Sequence, residues 1–141
     1  MDTIPDNTMD ITGNVVEEAV EEGIWYLHVR ALDNAGNAGN TVHYGPILID
    51  HSGPVMHTLQ SNIAANIWSN ATVVEVNFNA SDAFSGIAGY SFVVDTIEDT
   101  IPDTVIEVQN SSVSLNLTEG AWYIHVRAID GVGNAGNTIH Y

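Results

Sequence analysis

Apolar and polar residues alternate along most of this chain. Val74, Val76, Phe78 and Ala80 share one side of a two-residue period; Val73, Glu75, Asn77 and Asn79 share the other. Tyr90, Phe92 and Val94 predict a second strand. Val113, Leu115 and Leu117 alternate with Ser112, Ser114 and Asn116, and predict a third. Trp122, Ile124, Val126 and Ala128 alternate with Tyr123, His125 and Arg127, and predict a fourth. Turn signals separate these runs at Ser85-Gly86, Pro102-Asp103, Glu119-Gly120 and Gly133-Asn134. No segment carries a 3.6-residue period. The pattern predicts an all-β fold of short antiparallel strands, without the helical crossovers of an α/β fold.

The chain also repeats itself. The run from Glu22 to Asp33 reappears from Glu119 to Asp130, an offset of 97 residues. The same offset relates Gly36–Tyr44 to Gly133–Tyr141, and Asp2-Thr3-Ile4-Pro5-Asp6 to Asp99-Thr100-Ile101-Pro102-Asp103. Residues 2–44 therefore align with 99–141 without a gap. A unit of this length is the size of a β-sandwich domain, and too long for a solenoid repeat. The expected organisation is a partial unit plus linker over 1–50, holding C-terminal strands only, and a nearly complete unit over 51–141. Half a sandwich cannot cover its own apolar face. Two arrangements resolve this: the chain is a segment of a longer tandem array, or another chain donates the missing strands.

The run Leu117-Thr118-Glu119-Gly120-Ala121-Trp122-Tyr123-Ile124-His125-Val126-Arg127-Ala128-Ile129-Asp130-Gly131-Val132-Gly133-Asn134 carries a resemblance. It resembles the penultimate strand and following loop of immunoglobulin-like and fibronectin type III-like repeats in prokaryotic surface and secreted proteins. Ala80–Tyr90 and the stretch Ile49–Pro54 fit the same pattern. The resemblance implies a tandem antiparallel β-sandwich, located extracellularly or at a cell surface. In one respect the chain departs from it. Trp122 and Trp25 stand where the corner tyrosine is usual, and an indole lacks the phenolic hydroxyl of that motif.

Composition narrows the function classes. Eighteen acidic residues face two basic ones, a net charge of −16, with Arg30 and Arg127 the only cations and no lysine. Phosphate backbones and anionic lipids need clustered Lys and Arg, so nucleic acid and anionic membrane are not expected partners. No apolar run approaches the ~20 residues of a spanning helix. With no cysteine, disulfides, thiolate metal sites and a cysteine nucleophile are excluded.

The best candidates for chemistry are acidic loops. In the sandwich topology that the resemblance implies, the loops carrying Asp82 and Asp130 lie at one end, where Asp50 joins from the preceding unit. Three carboxylates there would suit Ca²⁺, which takes six to eight oxygen ligands. The competing reading is turn chemistry, because Asp and Asn bond nearby backbone and tolerate left-handed conformations. Asp95, Glu98, Asp99 and Asp103 form a second acidic group around Pro102, read as solvated charge on a loop or edge strand.

Six histidines include two matched pairs, His28 with His125 and His43 with His140. They alternate opposite the apolar face, which places them on the sheet surface, with His facing His or His43 near Arg30 across a hairpin. Zinc would need further ligands that the sequence does not supply. Tyr26 and Tyr123 also point outward; an aromatic row would grip sugar rings, but only one such aromatic per strand is evident, and single surface aromatics need no special explanation. Asn70, Asn79, Asn110 and Asn116 each head an Asn-x-Ser/Thr sequon. No Gly-x-Ser-x-Gly elbow is present, and the glycine-rich run Ala35–Asn40 leads into a strand rather than a helix. An enzyme is not expected, and no cofactor is required beyond a candidate Ca²⁺.

The expectation is therefore a non-catalytic spacer, stalk or fibre segment whose partners are neighbouring repeats. Two alternatives stand beside it: an adhesive or glycan-binding module of a secreted enzyme, and a fibre subunit assembled by strand donation.

Overall fold

A computed structural model describes residues 4–141. The described residues are all-β, with eight strands paired antiparallel throughout and no helix. In particular, no helix is long and apolar enough to cross a membrane. The chain divides into two compact units, Met1–Asp50 and His51–Tyr141.

The first unit holds one hairpin, β1 (Gly23–Leu32) and β2 (Ala38–Ile49). Its reversal is built by Asp33. One carboxylate oxygen accepts the N–H groups of Ala35 (2.9 Å) and Asn37 (2.8 Å), and the other accepts the Asn37 amide (2.8 Å). Gly36 completes the turn at φ 84°, a left-handed conformation that costs a side-chain-bearing residue. These bonds hold the Asp33 carboxyl below its ordinary pKa, the Asn37 side chain contributing most. Upstream, Arg30 Nη1 donates to the Pro5 carbonyl at 2.9 Å, tying the acidic N-terminal stretch to β1. Two strands cannot bury a face. Leu27, Val29, Val42 and Tyr44 are all exposed in this unit.

The second unit has six strands: β3 (Val55–Ser61), β4 (Val74–Ser81), β5 (Ile87–Asp95), β6 (Ser112–Leu115), β7 (Tyr123–Asp130) and β8 (Ala135–His140). They form two three-stranded sheets, ordered β3-β4-β6 and β5-β7-β8. Met56, Val74, Val76 and Phe78 from the first sheet share one apolar cluster with Tyr90, Ile124, Val126 and Ala128 from the second. Phe78 meets Tyr90 edge to face, with ring centroids 4.6 Å apart. The alternation expected of β4 is seen residue by residue: Val74, Val76 and Phe78 are buried, while Glu75, Asn77 and Asn79 are exposed.

The central strand β7 departs from that rule. Ile124, Val126 and Ala128 are buried as expected, but so are His125, Ile129 and Asp130. A segment crosses the outer face of its sheet. Pro102 is buried there, and Arg127 Nη1 donates to its carbonyl at 3.2 Å. Arg127 Nη2 also donates to the Gly136 carbonyl at 3.0 Å, so the guanidinium pins the segment to β8. Asp103 accepts from the buried Ser91 hydroxyl at 3.3 Å. Further on, Val108 bridges to Tyr90 and passes so close to Gly89 that a Cβ there would lie 2.8 Å from the Val108 carbonyl oxygen.

Trp122 and Trp25, where the resemblance implies a corner tyrosine, each make a main-chain hydrogen bond of their own. The Trp122 indole N–H donates to the Thr118 carbonyl at 2.9 Å, and Trp25 donates to Glu21 at 2.8 Å. Each bond runs back four residues to the main chain. An indole therefore supplies a backbone tether of its own, while both rings stay partly exposed.

Candidate functional site: paired aspartate loops and a histidine ladder

Two loops meet at one end of the second unit. In the first, Asp82 Oδ2 accepts the N–H groups of Phe84 (3.0 Å) and Gly86 (2.8 Å). In the second, Asp130 Oδ1 accepts those of Val132 (2.9 Å) and Asn134 (2.8 Å), and Oδ2 accepts the Asn134 amide (2.8 Å). The Gly131 N–H donates to the Gly86 carbonyl at 3.0 Å and joins the two loops. A side chain at position 131 would meet the Ser85 carbonyl oxygen at 2.7 Å, which is why a glycine stands there. Turn chemistry is thus present outright at both aspartates.

The same geometry brings carboxylate oxygens of Asp82 and Asp130 within 4.8 Å of each other. Asp130 is buried and Asp82 half-buried. Burial alone would raise the Asp130 carboxyl, but hydrogen bonds from Asn134, Val132 and Gly133 outweigh it and hold the pKa below its ordinary value. Arg127 does not neutralise this pair, because its guanidinium bonds go to main-chain carbonyls. A Ca²⁺ ion here would share oxygens already bonded to N–H groups. It would draw most of its six to eight ligands from loop carbonyls and water. Asp50, the third expected ligand, is the last residue of the first unit and is half-buried.

The histidines form a ladder across β7 and β8. His125 and His140 sit directly opposite, with their Nδ1 atoms 2.7 Å apart. His125 Nε2 lies 3.3 Å from Asp95 Oδ1. Asp95 also accepts the Thr100 hydroxyl (2.6 Å) and the Ile97 N–H (2.8 Å), and these two bonds chiefly lower its pKa, with His125 adding to them. The Tyr123 ring stacks on His125 at 6.4 Å. Sequence parity places His125 on the sheet surface; the structure buries it completely, because the outer face of the sheet is covered. His28 and His43 make the matching contact in the first unit, with Nδ1 atoms 2.6 Å apart, so His43 pairs with His28 rather than Arg30.

The second acidic group divides between two roles. Asp95 and Asp103 hold local bonds, whereas Glu98 and Asp99 are exposed. All four sequon asparagines, Asn70, Asn79, Asn110 and Asn116, are exposed. A groove that sequence reading missed runs between the loop 63–72 and the stretch 117–124. Trp68, Trp122, Tyr123 and Tyr141 line it together with Asn66 and Asn70. Trp68 is 88% exposed, an unusual position for an indole. The Tyr141 hydroxyl donates to the Ile63 carbonyl and anchors one end of that loop. Trp68 lies outside every alternating run, so no periodicity pointed to it. Compared with known proteins, the chain matches no family profile, no curated protein and no solved structure.

Proposed function

We propose that this chain is a segment of a tandem array of immunoglobulin-like or fibronectin type III-like β-sandwich units, about 97 residues each. Its role is mechanical and non-catalytic: a spacer or stalk of an extracellular or cell-surface protein, whose partners are neighbouring repeats. One observation carries the reading. Four side-chain contacts recur at the 97-residue offset: Arg30 to Pro5 with Arg127 to Pro102, Trp25 to Glu21 with Trp122 to Thr118, His28 to His43 with His125 to His140, and Asp33 to Asn37 with Asp130 to Asn134. Recurrence of contacts that serve folding supports an architectural role. Ca²⁺ binding at the Asp82–Asp130 loops belongs to this proposal, and the part of Asp50 is read from the Asp50→Ala variant. A glycan array and a pull-down with the full chain test the spacer reading. Specific, saturable binding of a soluble ligand overturns it.

The second reading is a glycan-binding module. The exposed Trp68 beside Trp122 and Tyr123 favours it, because aromatic faces stack on the C–H faces of sugar rings while amides meet hydroxyls. Loss of glycan-array signal in Trp68→Ala is its signature.

A further inference from the structure

We infer that the open face of the β1–β2 hairpin is an acceptor for a three-stranded segment built like residues 51–98 of this chain, joined directly ahead of residue 2 in the same polypeptide. This deepens the array reading and rests on it, because it names what a repeat docks against.

The hairpin is a second copy of β7–β8. His28↔His43, Val29↔Val42, Arg30↔Thr41 and Leu32↔Ala38 pair in the first unit. His125↔His140, Val126↔Ile139, Arg127↔Thr138 and Ile129↔Ala135 pair in the second, with an irregularity at the same place. The strands, register and turn agree, yet the burial does not. Leu27 is 44% exposed where its counterpart Ile124 is 3%, and Val29 is 48% exposed where Val126 is 0%. Ala31 is exposed and Ala128 buried. In the second unit the difference is made by β3, β4 and β5, which lie within residues 51–98. Met56, Val76 and Phe78 cover the apolar face, and β5 pairs along the edge of β7. The edge of β1 away from β2 has no strand beside it among the described residues.

The acceptor surface fits that cover. Trp25, Val29, Ala31 and Tyr44 are identical to their counterparts; Leu27 for Ile124 is isomeric, and Val42 for Ile139 differs by one methylene. Swaps of this size are the ones cores tolerate. Val16 occupies the place of Val113, so the stretch 15–18 is set to pair as β6 does on β4. Glu18 replaces Leu115 at the end of that strand and is the one apolar position lost there. Position 2 corresponds to position 99, so a cover ending at the equivalent of residue 98 joins without a spacer. A covalent neighbour also acts at high effective concentration, which favours it over a second copy.

The test is to join residues 51–98 ahead of Asp2 of the full chain and follow amide hydrogen exchange. The expected result is that the amides of 27–31 slow by about a hundredfold or more, toward the rates of 124–128, as a lone hairpin becomes part of a packed unit. In a control, the added segment carries aspartate at its copies of Val76 and Phe78, and 27–31 should stay fast. If 27–31 exchange equally fast with and without the intact extension, while 124–128 stay protected, the inference fails. It fails too if the 141-residue chain alone becomes protected at 27–31 with rising concentration and sediments as a dimer, since the cover is then a second copy. Ligand binding by the second unit overturns the spacer reading and leaves this measurement untouched.

Discussion

His125 and His140 face each other nitrogen to nitrogen, Nδ1 to Nδ1 at 2.7 Å. That distance is a hydrogen bond, so one proton lies between the two atoms. The Asp95 carboxylate beside His125 Nε2 only accepts, which places a proton on Nε2. In the neutral pair His125 is then the Nε2–H tautomer and His140 the Nδ1–H tautomer. Long-range ¹⁵N–¹H correlation spectra should show these opposite tautomers. Two Nε2–H signals would refute the assignment.

Removing one rung should cost stability. His140→Ala leaves the buried His125 Nδ1 without its partner, at about 1–3 kcal/mol. Urea unfolding of the second unit measures it. Replacement of the exposed His43 should leave that transition in place.

Asp130 links loop order to pH. Its pKa is lower folded than unfolded, because the bonds from Asn134, Val132 and Gly133 outweigh burial. The folded state therefore takes up the proton less readily than the unfolded chain. The stabilisation is complete above the ordinary carboxylate pKa of about 3.9, and is lost as pH falls through the lowered folded value. Asp130→Asn should make the acid limb of the stability profile shallower. Asp95, lowered chiefly by Thr100 and Ile97, keeps part of it.

Calcium should act through mass action. Extracellular modules bind it with Kd of about 0.1–1 mM. At 10 mM the stabilisation would be about 1.4–2.7 kcal/mol, a Tm rise of several degrees that a chelator reverses. An unchanged Tm, with and without chelator, removes calcium from the proposed function.

The two units should respond differently to equivalent truncations. Ile124→Ala opens a cavity in the shared core and should cost about 2–5 kcal/mol. Leu27→Ala in the 141-residue chain should stay within about 0.5 kcal/mol, as at other exposed sites. Chemical denaturation of both variants checks the contrast.

Much of this was legible from residue parity. The β4 alternation and the buried trio Ile124, Val126 and Ala128 followed from period two, because side chains leave a strand to opposite faces. Parity fixes the face but not what covers it. Parity alone places His125 outside, and no local pattern announces that Pro102 and its neighbours cross that face. The signal was present, though, in the pairing of Ile-Pro-Asp with an arginine 25 residues downstream, which occurs twice. The Asp82–Asp130 approach followed from the loop positions of the resembled topology. Trp68 was missed because a lone aromatic in an irregular loop has no period to betray it.

Both arginines bond main-chain carbonyls of Pro5, Pro102 and Gly136, so neither is committed to a carboxylate. With 18 acidic residues against these two arginines, the chain as a whole carries a net charge of −16. Copies of this chain therefore repel one another across the counterion atmosphere, whose reach is about 8 Å at physiological ionic strength. That repulsion guards the open edge of β1, which carries no lysine or proline to blunt it. In about 1 M salt the atmosphere thins to roughly 3 Å, and bare hairpin edges can come close enough to touch. Colloidal behaviour of this chain is thus set by the ions around it.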